Sequence, residues 1–501
     1  MVKAESTKKN LIFQYLYQIV MLVLPLVTAP YVTRTLSKTD LGTYSYIESI
    51  VSYFSIFACL GISRHGQRII ATKKDDDIEL RKTYWSLYTC HFITSMIAII
   101  AYLAFAFIWG GDDKTMYYIQ CITLLGTLFD VTWFFYGIER FKSVLIKNFV
   151  FKIIYTVLLF TLVKSPNDFW LYGLIICLSS FLGQIWVFIQ SIRLVKPIKF
   201  GKEDFLNHWK PLLILSISVI AVSLYTVFDK TLLGAMTTKE NVALYNYSEK
   251  IISIPKTMIG VIGTVLFPKA CRCFAKGDNV GMKKYFRISL LITYFIGIGA
   301  IFGLIGISDL FVNEYYGVDY AECGNLIKAM SILILIVGLG DIVRTQILIP
   351  MKKDVTYISI LIANAVINII LSAILIPVLG IYGAIIGTAA AEVFGLLAVM
   401  FVCRKYIDFK QVVLLLIPFT IAGLAMWGGI MLINNFYSNS IKALVVQILA
   451  GLVIYCILCG IYFLLIDKDK LEYRQRICNV FNKFKKKKNV EDKDSSNDFN
   501  E

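Results

Sequence analysis

"LGTYSYIESIVS" (41–52) recurs 201 residues later as "VALYNYSEKIIS" (242–253), and this repeat decides the fold. The matching positions are Tyr44/Tyr245, Tyr46/Tyr247, Glu48/Glu249, Ile50/Ile251 and Ser52/Ser253, with Lys38/Lys239 at the same offset. Upstream, "RTL" (34–36) resembles "KTL" (230–232) after about five extra residues in the second copy. Downstream, Arg68-x-x-Ala71 resembles Arg272-x-x-Ala275, and "FDVTW" (129–133) lies where "GDIVR" (340–344) lies in the other half. Each copy puts a carboxylate just inside a strongly apolar segment.

Of the 501 residues, 57% are hydrophobic, and the mean hydropathy is +0.70, too apolar for a soluble multidomain protein. A bilayer core of about 30 Å needs roughly 20 apolar helical residues per crossing. Fourteen segments qualify, at about 11–33, 42–63, 84–108, 116–138, 145–163, 169–192, 209–233, 243–267, 285–307, 322–349, 355–376, 381–403, 411–433 and 441–466. The first is too long for a cleavable signal, and Pro25 and Pro30 interrupt it.

Lys and Arg in connecting segments favour the cytoplasm. With an inner N-terminus, thirty-eight of the fifty fall in alternate connections and in the tail. Six (Arg34, Lys38, Lys114, Lys164, Lys239 and Lys442) fall on the opposite side, and six lie within spans. This split predicts that both termini face the cytoplasm. It accounts for the +16 net charge without a nucleic-acid partner. Eleven scattered cysteines and three histidines give no spacing for a metal site.

Six spans separate the two copies, so both point the same way across the membrane. That is a parallel repeat about an axis along the membrane normal. The predicted fold class is all-α integral membrane, two pseudo-symmetric six-helix bundles (1–200 and 201–405) plus two further helices (406–466). A cytoplasmic tail (467–501) carries "KFKKKK" (483–488), read as a topology anchor or a contact for anionic lipid.

Several stretches resemble the oligosaccharide repeat-unit flippases of O-antigen and capsule synthesis, within the multidrug/oligosaccharidyl-lipid/polysaccharide exporter superfamily. They are "LPLVTAPYVTRTLSKTDLGTYSY" (24–46), "DVTWFFYGIERFK" (130–142), "FDKTLLG" (228–234), "YNYSEKIISIPKTMIGVIGTVLFPKA" (245–270) and "NIILSAILIPVLGIYGAIIGTAAAEV" (368–393). The resemblance runs from about residue 10 to 405. It implies a central cavity, alternating access and an undecaprenyl-pyrophosphate-linked oligosaccharide as cargo. It further implies the bacterial plasma membrane as location and the polysaccharide polymerase machinery as partner, with no cofactor.

Such a cargo calls for Lys or Arg at its pyrophosphate and for Tyr and acidic groups at its sugars. Intramembrane ionisable residues are costly unless paired or wet, so they are the candidates. At 1.5 Å per residue, Lys256 lies roughly 20 Å deep, Glu392 roughly 16 Å, and Asp130 roughly 21 Å. Lys152 is about 10 Å from the inner face, and Glu48, Glu249 and Lys250 are about 9–11 Å from the outer face. Lys256, Arg34, Lys250 and Lys152, then Arg64, are assigned to the pyrophosphate. Glu48, Glu249 and Glu392 are assigned to sugar contact, gating or ion coupling, with Asp130 and Asp341 as further coupling candidates. Tyr44 and Tyr245 are read as sugar contacts or as aromatic-belt residues. Arg64, Glu139 and Lys230 also fit snorkelling positions at helix ends, and Asp229 with Lys230 fits a neutralised surface pair.

Outward movement of two negative charges down an inside-negative potential releases roughly 4–5 kcal/mol per 100 mV. No P-loop is present, which fits a secondary transporter. The rivals are a cation-coupled drug exporter and a membrane polymerase or glycosyltransferase. An enzyme acting outside is disfavoured by a longest predicted outer loop of only about fourteen residues (308–321).

Overall fold

A computed structural model describes residues 23–436 and 440–463, with backbone alone at 217–219, 221–226 and 436. The predicted tail (467–501) and the start of the first predicted span lie outside the described residues. The described residues are helical throughout, without a strand. In the first half the helices are α1 (23–35), α2 (Lys38–Cys59), α3 (Ile62–Lys73), α4 (Asp77–Trp109), α5 (Lys114–Leu128), α6 (Thr132–Gly137), α7 (Phe141–Leu162) and α8 (Phe169–Leu194). In the second they are α9 (Lys202–Met236), α10 (Lys239–Lys276), α11 (Asn279–Tyr315), α12 (Glu322–Val343), α13 (Asp354–Leu379), α14 (Ile381–Val402), α15 (Phe409–Phe436) and α16 (Ile441–Ile461).

Twelve predicted spans coincide with helices long and apolar enough to cross a membrane. The predicted span 209–233 lies within α9, and the first is represented by α1. The outward faces are apolar, as lipid contact demands: Ile97, Ile100 and Phe107 on α4, Ile370 and Ile374 on α13, and Leu449, Leu452 and Val453 on α16. This is a multi-pass membrane protein.

The repeat extends to how its helices begin. Ser37 caps α2 by accepting from the Asp40 N–H (3.1 Å), and Thr238, 201 residues on, caps α10 by accepting from the Asn241 N–H (3.4 Å). Each cap satisfies one orphan amide of a first turn. The helix ends then differ. α2 stops where Leu60 (φ 33°) and Gly61 (φ 67°) turn the chain into α3, whereas α10 runs on to Gly277 (φ 66°).

The predicted span 116–138 is two helices rather than one. Asp130 Oδ1 accepts from the Thr132 N–H (2.9 Å) and hydroxyl (2.7 Å), a local turn that competes with the helix and starts α6. At the matching place in the second half, α12 passes into a π-helical turn over Arg344–Leu348. The sequence-level match of "FDVTW" to "GDIVR" therefore marks a helix irregularity in each copy.

In the first bundle α2, α4, α5 and α8 pack in succession, with α7 on α8. In the second, α10, α11 and α12 pack together and α9 pairs with α13, α13 with α14. The two extra helices lie on the second bundle, both against α11. Between bundles α2 crosses α10 and also touches α9. The start of α9 stays on the first bundle: His208 Nδ1 lies 3.1 Å from His65 Nε2, and its Nε2 lies 2.9 Å from Ser86 Oγ.

Cysteines placed at Lys164 and Val318 should react with a membrane-impermeant maleimide from the opposite side to cysteines at Asp75 and Lys276. Labelling of intact cells and inverted vesicles checks this. Reaction of positions 164 and 276 from one side would break the alternation.

Candidate functional site

Small and polar side chains bring α2 and α10 together. Asn246 Nδ2 donates to Ser45 Oγ (2.9 Å) and Thr39 Oγ1 donates to Glu240 Oε1 (3.1 Å). Both pairs are 201 residues apart, so each residue touches its own counterpart. Counterparts meet only on the axis relating the two copies, and the axis therefore passes through this crossing. A Cβ at Gly42 would lie 1.7 Å from the Lys239 carbonyl oxygen. Tyr46 fills the space over Gly234 and carries the Lys239 ammonium 3.2 Å from its ring centre.

Further bonds tie the bundles at the same face, the predicted outer one. Arg34 Nη2 donates to the Glu314 carbonyl (2.5 Å), Thr33 Oγ1 to the Tyr316 carbonyl (3.0 Å), and the Tyr315 hydroxyl to the Leu26 carbonyl. Ser49 and Thr231 hydroxyls meet at 2.8 Å farther along the seam.

Beyond the seam, charges gather on the facing helices. Lys230 on α9 pairs with Glu249 on α10 (3.0 Å). Lys250 is exposed, and its ammonium sits 4.5 Å from the Tyr247 ring centre. Glu48 is exposed and lies in electrostatic reach of Lys152, Lys230 and Lys250. Lys256, part-exposed, feels Glu249, Asp229 and Asp341. Lys152, on α7, stands over the Tyr155 ring at 4.9 Å. These four lysines and Arg344, which pairs with Asp341, stand against Glu48, Glu249, Asp229 and Asp341, a formal surplus of one positive charge. The structure thus brings together Lys152, Lys250, Lys256, Glu48 and Glu249.

Other candidates go elsewhere. Arg34 is spent on the seam, and Arg64 stands exposed in the first turn of α3. Tyr44 is buried edge-on against Tyr172 (5.2 Å). Asp130 accepts from Thr132 at the start of α6, and Asp341 pairs with Arg344 three residues on. Glu392 is buried on α14, one turn from Gly395, where Asn364 approaches so closely that a Cβ would meet its Nδ2 at 2.2 Å.

Asp229 is not half of a surface pair. It is buried on α9 and takes hydrogen bonds from four side chains on three other helices. Tyr245 (2.9 Å) and Thr388 (2.5 Å) donate to Oδ2, and Asn368 (3.2 Å) and Ser372 (3.4 Å) donate to Oδ1. Asn368 Oδ1 is buried with no hydrogen-bond partner. With Asn368 Nδ2 and three hydroxyls donating to it, the carboxylate is neutralised by hydrogen bonds rather than by a cationic side chain. Among the described residues no three His, Cys, Asp or Glu side chains form a metal cluster. Asp229 and Lys230 were missed as site residues because their partners, up to 159 positions away, carry no local signal.

The family description "Polysaccharide biosynthesis protein" matches residues 7–273, more than half of the chain. The chain belongs to the polysaccharide biosynthesis protein family. Two relatives share the name "Putative O-antigen transporter". The one from Shigella dysenteriae is 25% identical over 398 residues, covering 77% of this chain and 97% of the relative. The one from Escherichia coli K12 is 21% identical over 406 residues, covering 77% and 94%. Among solved structures, the lipid II flippase MurJ in an inward closed conformation superposes with a TM-score of 0.70 at 17% identity, covering 91% of this chain and 99% of that one. The two-lobed helical fold is therefore shared with a flippase, and the relatives are named for transport rather than catalysis.

Asp229→Ala should destabilise the protein by roughly 3 kcal/mol or more, since each buried donor left unsatisfied costs roughly 1–3 kcal/mol. Thr388→Ala, which removes one donor, should cost less. Thermal unfolding in detergent orders the two. A double-mutant cycle on Lys230→Met and Glu249→Gln should give a coupling of roughly 1 kcal/mol or more; zero coupling would remove their ion pair from the account.

Proposed function

We propose that the protein is a flippase that moves an undecaprenyl-pyrophosphate-linked oligosaccharide from the inner to the outer leaflet of a bacterial plasma membrane. The observation that carries this is the gathering of Lys152, Lys230, Lys250 and Lys256 on helices of both halves, with a net positive charge. A pyrophosphate diester bears two negative charges, whereas a cleft built for cationic drugs would need the opposite sign.

In this reading both termini face the cytoplasm, and the α2–α10 seam closes the outer side. The copies 1–200 and 201–405 are the moving halves, and 406–466 is an added pair. Lys250 and Lys256, aided by Lys152, hold the pyrophosphate. Glu249 fixes Lys230 beside them, and Glu48 faces sugar hydroxyls. Arg34 latches the outer face, Arg64 stays at the inner membrane surface, and Tyr44 and Tyr245 position their helices. Asp130 and Asp341 are each engaged by a near neighbour. The buried carboxylates of Glu392 and Asp229 are therefore the preferred sites for a coupling proton. The membrane potential acts on the cargo's charge, so no nucleotide is required.

Flipping of a lipid-linked oligosaccharide in liposomes tests this. Lys250→Gln and Lys256→Gln should each slow flipping about tenfold or more, because a hydrogen bond to a charged group contributes roughly 1.5–3 kcal/mol. Arg at either position should restore part of the rate. Wild-type rates in both Gln variants would overturn the assignment.

A further inference from the structure

The first bundle contains a second polar space that the pyrophosphate assignment leaves unused. Between α7 and α8 lies a cavity of about 300 Å³, at the small end of the roughly 300–1,000 Å³ usual for ligand sites. Its polar lining comprises Lys147, Asn148, Lys152, Ser179, Ser180 and Gln184. Lys152, which lines it, also lies in electrostatic reach of Glu48 on α2.

Lys147 is the informative residue. It is 7% exposed, and its ammonium donates to Gln184 Oε1 at 3.1 Å. Among the described residues no carboxylate lies within ion-pair distance of it. Asp130, the carboxylate among the described residues in its electrostatic reach, accepts two bonds from Thr132. A buried cation without a counter-charge costs several kcal/mol. Apolar residues of similar length would fill the same volume without that cost. Gly183 faces the lysine across the cavity; a Cβ there would lie 3.4 Å from Lys147 Cγ and from the Phe151 ring. Anything larger than alanine would occupy the cavity.

We propose that this side cavity seats an anionic sugar of the cargo, its carboxylate on Lys147 and its hydroxyls on Gln184, Asn148 and the two serines. The inference rests on the flippase reading and adds to it a class of glycan, one with an acidic residue. The charge on Lys147 selects that residue, and the neutral lining groups exchange hydrogen bonds with its hydroxyls.

The test uses the full chain in liposomes and two undecaprenyl-pyrophosphate disaccharides that differ only in glucuronic acid against glucose. Wild type should flip both, the acidic cargo faster. Lys147→Gln should slow the acidic cargo tenfold or more and leave the neutral one within twofold, which also shows that the variant is folded. Gly183→Val, which fills the cavity without touching charge, should give the same split. Equal slowing of both cargos by Lys147→Gln would mean that the lysine is structural or meets the pyrophosphate, and would overturn the proposal. Unchanged rates for both cargos would overturn it as well. Failure of wild type to flip either cargo would instead sink the flippase reading.

Discussion

Where α2 crosses α10, the Lys239 carbonyl occupies the space that any side chain at Gly42 would need, and Ser45 meets its own counterpart, Asn246. Helices in lipid gain no hydrophobic drive from associating, so small residues and inter-helix hydrogen bonds must hold them together. Both are concentrated at this one crossing. It lies on the axis relating the two copies, where each contributes the same helix. The hydrogen bonds of Arg34, Thr33 and Tyr315 then extend the closure along the same face.

The polar chemistry follows from that closure. Charged side chains on these helices are costly in hydrocarbon, so they need partners within the protein. Two arrangements result. Asp229 is fully engaged by Tyr245, Thr388, Asn368 and Ser372 and so ties α9 to α10, α13 and α14. The lysines are under-neutralised: Lys230 has Glu249, whereas Lys250 and Lys152 rest on tyrosine rings. The proposed anion site rests on the second arrangement, while the first joins four helices at one buried carboxylate.

Helix existence and the repeat were legible because both are local. Twenty apolar residues declare a span, and Tyr44-x-Tyr46-x-Glu48 needs only its copy at Tyr245-x-Tyr247-x-Glu249 to be seen. Side-chain fate was less legible, since identical positions acquired different neighbours. Tyr44 meets Tyr172 on α8, but Tyr245 meets Asp229 on α9. Glu249 is paired with Lys230, but among the described residues no cation lies within ion-pair distance of Glu48. Arg34 also shows the limit. Its charge suggested an anion ligand, and only the placement of the Glu314 carbonyl, 280 residues away, shows its hydrogen bond to the second half. The break at Asp130 was hidden because the apolar pattern of 116–138 continues across it.

The central claim is that the outer closure at α2–α10 must open for cargo to cross. Its most direct test is a disulfide between Ser45→Cys and Asn246→Cys, formed in liposomes that contain a lipid-linked oligosaccharide. The account predicts that oxidation abolishes head-group flipping and that reduction restores it. Undiminished flipping by fully cross-linked protein would contradict it.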